Sequence, residues 1–140
     1  MGVIFDTSEI IAIEGKSHDI YRITEGREDE PFGISVITVA ELLHGVERAD
    51  THTRKIKRQA FVEKVIEFFP VFPLDISVAR TYARLWASLA SQGITVGSHD
   101  LIIAATALSM DYTIITANTR DFRKIEGLKL DAFVKSHAAI

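Results

Sequence analysis

Gly97-Ser98-His99-Asp100-Leu101-Ile102-Ile103-Ala104-Ala105-Thr106-Ala107-Leu108 is the stretch on which the reading of this chain turns. Ser98 can cap a helix whose body, Leu101 to Leu108, is apolar or small on nearly every face. A helix apolar all round belongs inside a domain rather than on its surface. Asp100 falls in the first turn, where unpaired N–H groups and the helix dipole welcome a carboxylate. Two more acids share this placement beside apolar runs. Asp6 ends Val3-Ile4-Phe5, and Glu41 interrupts the segment Ile37 to Leu43.

Outward from that helix, short β-like runs alternate with helical patterns, which predicts an α/β domain with a mostly parallel sheet. Val3 to Phe5 reads as a buried first strand, and Thr7 or Ser8 caps a helix through Ile10, Ile11 and Ile13 to Gly15. Ser17 opens another, with Ile20 and Ile23 on one face. Phe32 to Ser35 is the second strand, and Thr38, or Ser35 one turn earlier, caps the helix carrying Ala40, Leu43 and Val46. Asp50 to Phe69 reads as a long amphipathic helix with Ile56, Ala60, Val65 and Phe68 on one face, ended by Pro70. Pro73 places the strand Val71 to Leu74 at an edge or a strand end. Ser77 starts a helix stopped at Gly93, with Val78, Tyr82, Leu85 and Leu89 at helical spacing. After the buried helix come a strand at Tyr112 to Thr116, a loop or short helix at Thr119 to Lys124, and a last strand at Leu128 to Phe133, with a frayed tail from Lys135.

Bulk properties narrow the field. The chain has 140 residues, 47% of them hydrophobic and 25% charged, which suits one domain, 1–140, with a real core. Its apolar runs fall far short of the roughly 18 residues a membrane span needs. The N-terminus lacks the layout of a signal peptide, and Asp6 stands where myristoylation wants Ser or Thr. With no cysteine, disulfides and thiolate metal sites are excluded, and a cytoplasmic location is expected. The net charge of −3 means that an anionic partner must find local basic patches.

In an open parallel sheet ligands gather at the carboxyl ends of the strands. Asp6 follows the first strand, Glu41 lies just beyond the second, and Asn118 and Asp121 follow Tyr112 to Thr116. If the N-terminus of the Asp100 helix reaches the same rim, three or four carboxylates converge. Like charges at such range repel by several kcal/mol at an effective dielectric of about 20, so protons or cations must neutralise them. All-oxygen ligands suit Mg²⁺ or Mn²⁺ rather than Zn²⁺. Such an ion would lower the pKa of a bound water and steady a leaving oxygen, the layout of phosphodiester hydrolysis. An Asp after the first strand also suggests a haloacid-dehalogenase phosphatase, but that chemistry wants a second Asp two residues on, where Ser8 stands.

Four motifs then carry a resemblance. Val3-Ile4-Phe5-Asp6-Thr7-Ser8, Ile37-Thr38-Val39-Ala40-Glu41-Leu42 with Gly45 after it, Asp100-Leu101-Ile102-Ile103-Ala104-Ala105-Thr106-Ala107 and Ile115-Thr116-Ala117-Asn118-Thr119-Arg120-Asp121-Phe122 come in the order of the PIN domain. The chain resembles the VapC toxins of toxin–antitoxin pairs from about Val3 to Phe133. The resemblance implies a PIN-like three-layer α/β/α sandwich, a Mg²⁺- or Mn²⁺-dependent endoribonuclease, inhibition by a cognate VapB-type antitoxin, and commonly a homodimer. Carried over by position, Asp6, Glu41 and Asp100 are the first three acids of the site, and Asp121 is the fourth, with Asn118 competing for that place. Thr116 matches a recurrent supporting hydroxyl, and Thr7 or Ser8 can act likewise. Ser98-His99 departs from relatives that often carry proline just before the third acid.

Each nominee also has a plainer reading: a turn or cap for Asp6, a solvated helix residue for Glu41, a helix-dipole partner for Asp100, and a cap of the Phe122 to Lys124 turn for Asp121. All five histidines are left out of the site. Arg120, Arg123 and Lys124 adjoin Asp121 and are expected to contact RNA phosphates, ahead of the denser run Arg54, Lys55, Lys57 and Arg58. Tyr82, Trp86, Phe61, Phe68 and Phe69 read as core or subunit contacts. Apolar residues around Ile10, Ile20 and Leu43 are candidate antitoxin contacts. The alternative from another class is a catalytically silent PIN-like scaffold that binds RNA or a partner without cutting.

Overall fold

Val3–Phe5 forms β1, the middle strand of a five-stranded, wholly parallel sheet in the order β3-β2-β1-β4-β5. The computed structural model describes residues 2–15 and 20–132. The other strands are β2 (Phe32–Ser35), β3 (Val71–Phe72), β4 (Thr113–Ile115) and β5 (Lys129–Asp131). The helices are α1 (Thr7–Gly15), α2 (Val36–Glu47), α3 (His52–Phe68), α4 (Ile76–Ser91) and α5 (Ser98–Met110), with 3-10 turns at Ile20–Thr24 and Phe122–Lys124. Among the described residues no helix is long and apolar enough to cross a membrane.

Strand periodicity divides β1 between two cores. Val3 and Phe5 pack with Ile10, Ile34, Leu42, Val46, Val62 and Val65, beneath α1 to α3. Ile4 packs with Leu89, Leu101, Ile103, Ala104, Ile114 and Phe122, beneath α4 and α5. Successive side chains of a strand point to opposite faces, so one short apolar strand serves both layers. The result is the expected α/β/α sandwich.

The strand order also fixes where the site lies. The chain leaves β1 for β2 and β3 on one side, then returns through α4 and α5 to β4 on the other. The direction of winding reverses beside β1, and a crevice opens at its carboxyl end. Only Asp111 and Tyr112 separate α5 from β4, so α5 runs antiparallel to the strands. Its N-terminus, with Asp100, therefore stands on the rim where β1 and β4 end.

Local chemistry moves several boundaries. Ser35 rather than Thr38 caps α2, accepting from the N–H of Ile37 at 3.1 Å. Asp75 caps α4, so that helix begins at Ile76 rather than Ser77. Gly97 occupies the cap position of α5 with no side-chain bond, so Ser98 is its first helical residue. Thr51 caps α3 and leaves Asp50 outside it. The buried side of α3 runs through Val62 and Val65, whereas Ile56 and Ala60 face solvent. Ile10 and Ile20 are core residues and offer no surface, but Leu43 is exposed. Phe69 is buried, Phe61 and Phe68 pack against its cluster, and Trp86 is exposed. The proposed cap at Ser17, the strand end at Phe133 and the tail from Lys135 lie outside the described residues.

Gly33 shows why β2 needs glycine. A Cβ there would stand 2.5 Å from the Phe72 ring and 2.6 Å from the Pro70 carbonyl oxygen, where β3 crosses. Pro70 O accepts from the N–H of Ile34 at 3.0 Å, so the close approach is part of the sheet.

Candidate active site

Asp6 leaves the end of β1 at the N-terminus of α1. It is buried, and its N–H donates to Ile115 O at 3.0 Å, which ties it to β4. Its Oδ1 accepts from the Thr7 N–H at 2.8 Å, while Oδ2 accepts from Ser8 Oγ at 2.8 Å and Thr116 Oγ1 at 2.9 Å. Hydrogen bonds to a charged acceptor are about twice as strong as neutral ones. Thr116, fully buried just past β4, is itself oriented by accepting the N–H of Asn118 at 2.9 Å.

Glu41 projects from α2 toward α1. Thr7 Oγ1 stands 2.7 Å from Glu41 Oε1 and 3.0 Å from Thr38 Oγ1, and its single proton goes to the carboxylate, the shorter and charge-assisted contact. The other oxygen, Oε2, is 3.4 Å from His99 Nδ1. Thus Thr7 joins α1 to α2, and His99 joins α2 to the start of α5.

Asp100 is half-buried, and its carboxyl is pushed up from 3.8 to about 6, first by burial and then by the charges of Asp6, Asp121 and Glu41; His99 pulls the other way. The charges of three acids from other parts of the chain therefore reach Asp100 at this rim. Asp121 precedes the Phe122–Lys124 turn but makes no side-chain capping bond, and its Oδ1 pairs with Lys124 Nζ at 3.0 Å. Lys124 also donates to Thr95 O at 3.2 Å, bracing the segment before α5.

All donors at this rim are oxygens apart from His99, which suits a hard divalent cation. Among the described residues no three Asp, Glu or His side chains are gathered closely enough to hold an ion as they stand. Asp6 is turned onto two hydroxyls and Glu41 onto one. The residues fit an Mg²⁺-like ion in charge and donor type, and gripping it requires these side chains to turn inward.

The model of the PIN domain matches residues 3–128. The chain belongs to the PIN domain family. Among curated proteins it is 41% identical over 134 residues to Ribonuclease VapC1 of Rickettsia felis, covering 93% of this chain and 95% of that one. Among solved structures it superposes on DNA-bound VapBC from Salmonella typhimurium with a TM-score of 0.84, at 27% identity over 95% of this chain and 98% of that one. It superposes on VapBC-5 of Mycobacterium tuberculosis, described as a member of the VapBC family of toxin–antitoxin systems, with a TM-score of 0.72, at 31% identity over 94% and 98% of the two chains.

Within this PIN fold the structure brings Asp6, Glu41, Asp100 and Asp121 to one rim and sets Thr7, Ser8 and Thr116 against the first two. Asn118 contributes its backbone to Thr116. Of the basic candidates, Lys124 is engaged by Asp121, while Arg120 and Arg123 are exposed. The denser run is mostly paired on the protein: Arg54 with Asp50 at 2.9 Å, Lys55 with Glu47 at 3.8 Å, and Arg58 with Gly45 O at 2.9 Å. Sequence reasoning missed His99 and Thr38. The clues were adjacency to Asp100 for His99, and a place one turn before Glu41 on the same face of α2 for Thr38.

Proposed function

We propose that this chain is a divalent-metal-dependent endoribonuclease, the toxin of a VapBC-type pair, held in check by a VapB-type antitoxin. The observation that carries the reading is the placing of Asp6, Glu41 and Asp121 near enough to Asp100 for their charges, with its burial, to raise its carboxyl. Acids so arranged serve a cation and a phosphodiester better than they serve stability. The ribonuclease activity named for the Rickettsia relative and the toxin–antitoxin membership of the Mycobacterium structure support the same reading.

In this proposal Asp6, Glu41, Asp100 and Asp121 hold Mg²⁺ or Mn²⁺. Once bound, that ion supplies a water of lowered pKa and offsets charge on the phosphate oxygens. The chain's own part is positioning. Thr116 and Ser8 fix one carboxylate, Thr7 fixes the second, and the N-terminus of α5 presents the third, whose raised pKa an incoming cation would bring down. Hydrolysis by water needs no protein nucleophile. A second copy of the chain is proposed as partner, with the exposed Ile76 and Trp86 of α4 as candidate contacts.

The test compares wild type with Asp100→Asn on total cellular RNA, with Mg²⁺ and with EDTA. Wild type should release discrete fragments in Mg²⁺ and none in EDTA. Asp100→Asn should lose more than the roughly 10–100-fold that changes behind a metal ligand cost, while keeping RNA affinity. Equal cleavage by both proteins, or cleavage undiminished by EDTA, refutes the proposal. RNA binding by wild type with no cleavage under any divalent ion supports the silent scaffold instead.

A further inference from the structure

A groove of about 660 Å³ opens from the acid rim between α1 and α2, within the range of ligand sites. Thr7, Glu41 and His99 line it beside the acids, and His44, Arg48 and Arg58 line it farther along. Glu41, His44 and Arg48 follow at i, i+3 and i+7, so they share one stripe of α2 and its cap. At 1.5 Å of rise per residue, Arg48 stands about 10 Å along the helix axis from Glu41.

Arg48 makes no side-chain ion pair or hydrogen bond among the described residues, unlike Arg54 and Lys55 on the neighbouring helix. Arg58 is held on α2 by the Gly45 carbonyl at 2.9 Å, and among the described residues its only carboxylate contact is Glu14 at 3.9 Å. In a protein of net charge −3 these guanidiniums concentrate positive charge beside a negative rim. A peptide carboxylate would need one such cation, but a polyanion crossing the acids must continue somewhere, and this groove meets them at Glu41, next to the His99 that precedes Asp100.

We propose that the groove is an RNA subsite in which Arg48 and Arg58 bind a backbone phosphate of the strand flanking the scissile bond. The assignment rests on the ribonuclease reading. Phosphate contacts position a strand without reading its bases, so the subsite sets register and affinity rather than sequence choice. Guanidinium suits the role because its planar fork matches phosphate oxygens in pairs.

The test measures binding of a fluorescein-labelled 12-nucleotide single-stranded RNA of mixed sequence by anisotropy, over a series of salt concentrations. Asp100→Asn serves as the background, so that cleavage does not enter. Adding Arg48→Gln should weaken binding about fivefold or more and flatten the slope of log K against log salt by about 0.7, the release expected for one phosphate of a single strand. Adding Arg58→Gln should do the same, and Arg54→Gln, outside the groove, should change neither quantity. Unchanged affinity and slope with Arg48→Gln overturns the subsite, as does an equal loss with Arg54→Gln, which would mean bulk charge alone. If Arg48→Gln spares RNA binding but weakens the complex with the antitoxin, the groove belongs to a protein partner and the subsite is again refuted. Wild-type cleavage in Mg²⁺ is scored separately: its absence defeats the ribonuclease reading, whereas its presence beside a silent Arg48→Gln defeats only the subsite.

Discussion

Replacing Asp100 with Asn should make the protein more stable and less active at once. The carboxyl of Asp100 is raised from 3.8 to about 6, so at neutral pH the folded state holds an anion that it disfavours. At about 1.36 kcal/mol per pH unit, the upper bound on that penalty is about 3 kcal/mol. The side chain is only half-buried, and solvent screening reduces the figure to about 1–2 kcal/mol. The sign follows from linkage. A carboxyl whose folded pKa is raised gives stability that is fully present below pH 3.8 and is lost as pH rises through 6. Asp100→Asn has no such loss, so its advantage is absent near pH 3.8 and complete above about pH 7. For a chain of 140 residues it should raise Tm by about 3–7 °C at pH 8. Differential scanning calorimetry from pH 4 to 8 in EDTA measures this directly. Adding Mg²⁺ should reverse the order, because an ion bound only to the folded wild type stabilises it by mass action. A melting difference that is independent of pH, or an Asn variant less stable than wild type at pH 8, would refute the electrostatic argument.

Two other substitutions probe the supports. Thr116→Val removes a buried donor to Asp6 and an acceptor of the Asn118 N–H; it should cost about 1–2 kcal/mol in urea unfolding and lower kcat with KM nearly unchanged. Gly33→Ala forces a Cβ against the Pro70 carbonyl and the Phe72 ring and should cost about 1–3 kcal/mol in the same titration, with any residual folded protein keeping its RNA affinity.

The parts of the molecule legible in its sequence are those with local causes. Val3–Phe5 and α5 are too apolar to lie anywhere but inside, so Asp6 and Asp100 could be placed at their ends by pattern alone. The rim itself was not legible, because it depends on the order β3-β2-β1-β4-β5, and strand order leaves no periodic trace. Helix starts were misread where neighbouring residues compete for one role: Asp75 wins over Ser77, and Gly97 takes the place expected of Ser98. Ile56 misled because regular spacing marks a stripe without saying which stripe faces inward. His99 escaped because its partner, Glu41, belongs to another helix. Likewise the pairing of Lys124 with Asp121 looked like free positive charge beside the site.

The bond from Thr116 to Asp6 joins residues 110 positions apart, nearly the full span of the described chain. β1 is synthesised before every other element of this domain, yet its neighbour β4 is the last strand but one to be made. While this domain is being made, the chain therefore carries Asp6 without the hydroxyl that steadies it or the helix that brings Asp100 alongside. Contacts of such long range also slow folding. The acid rim is thus among the last features of this domain that the growing chain can complete.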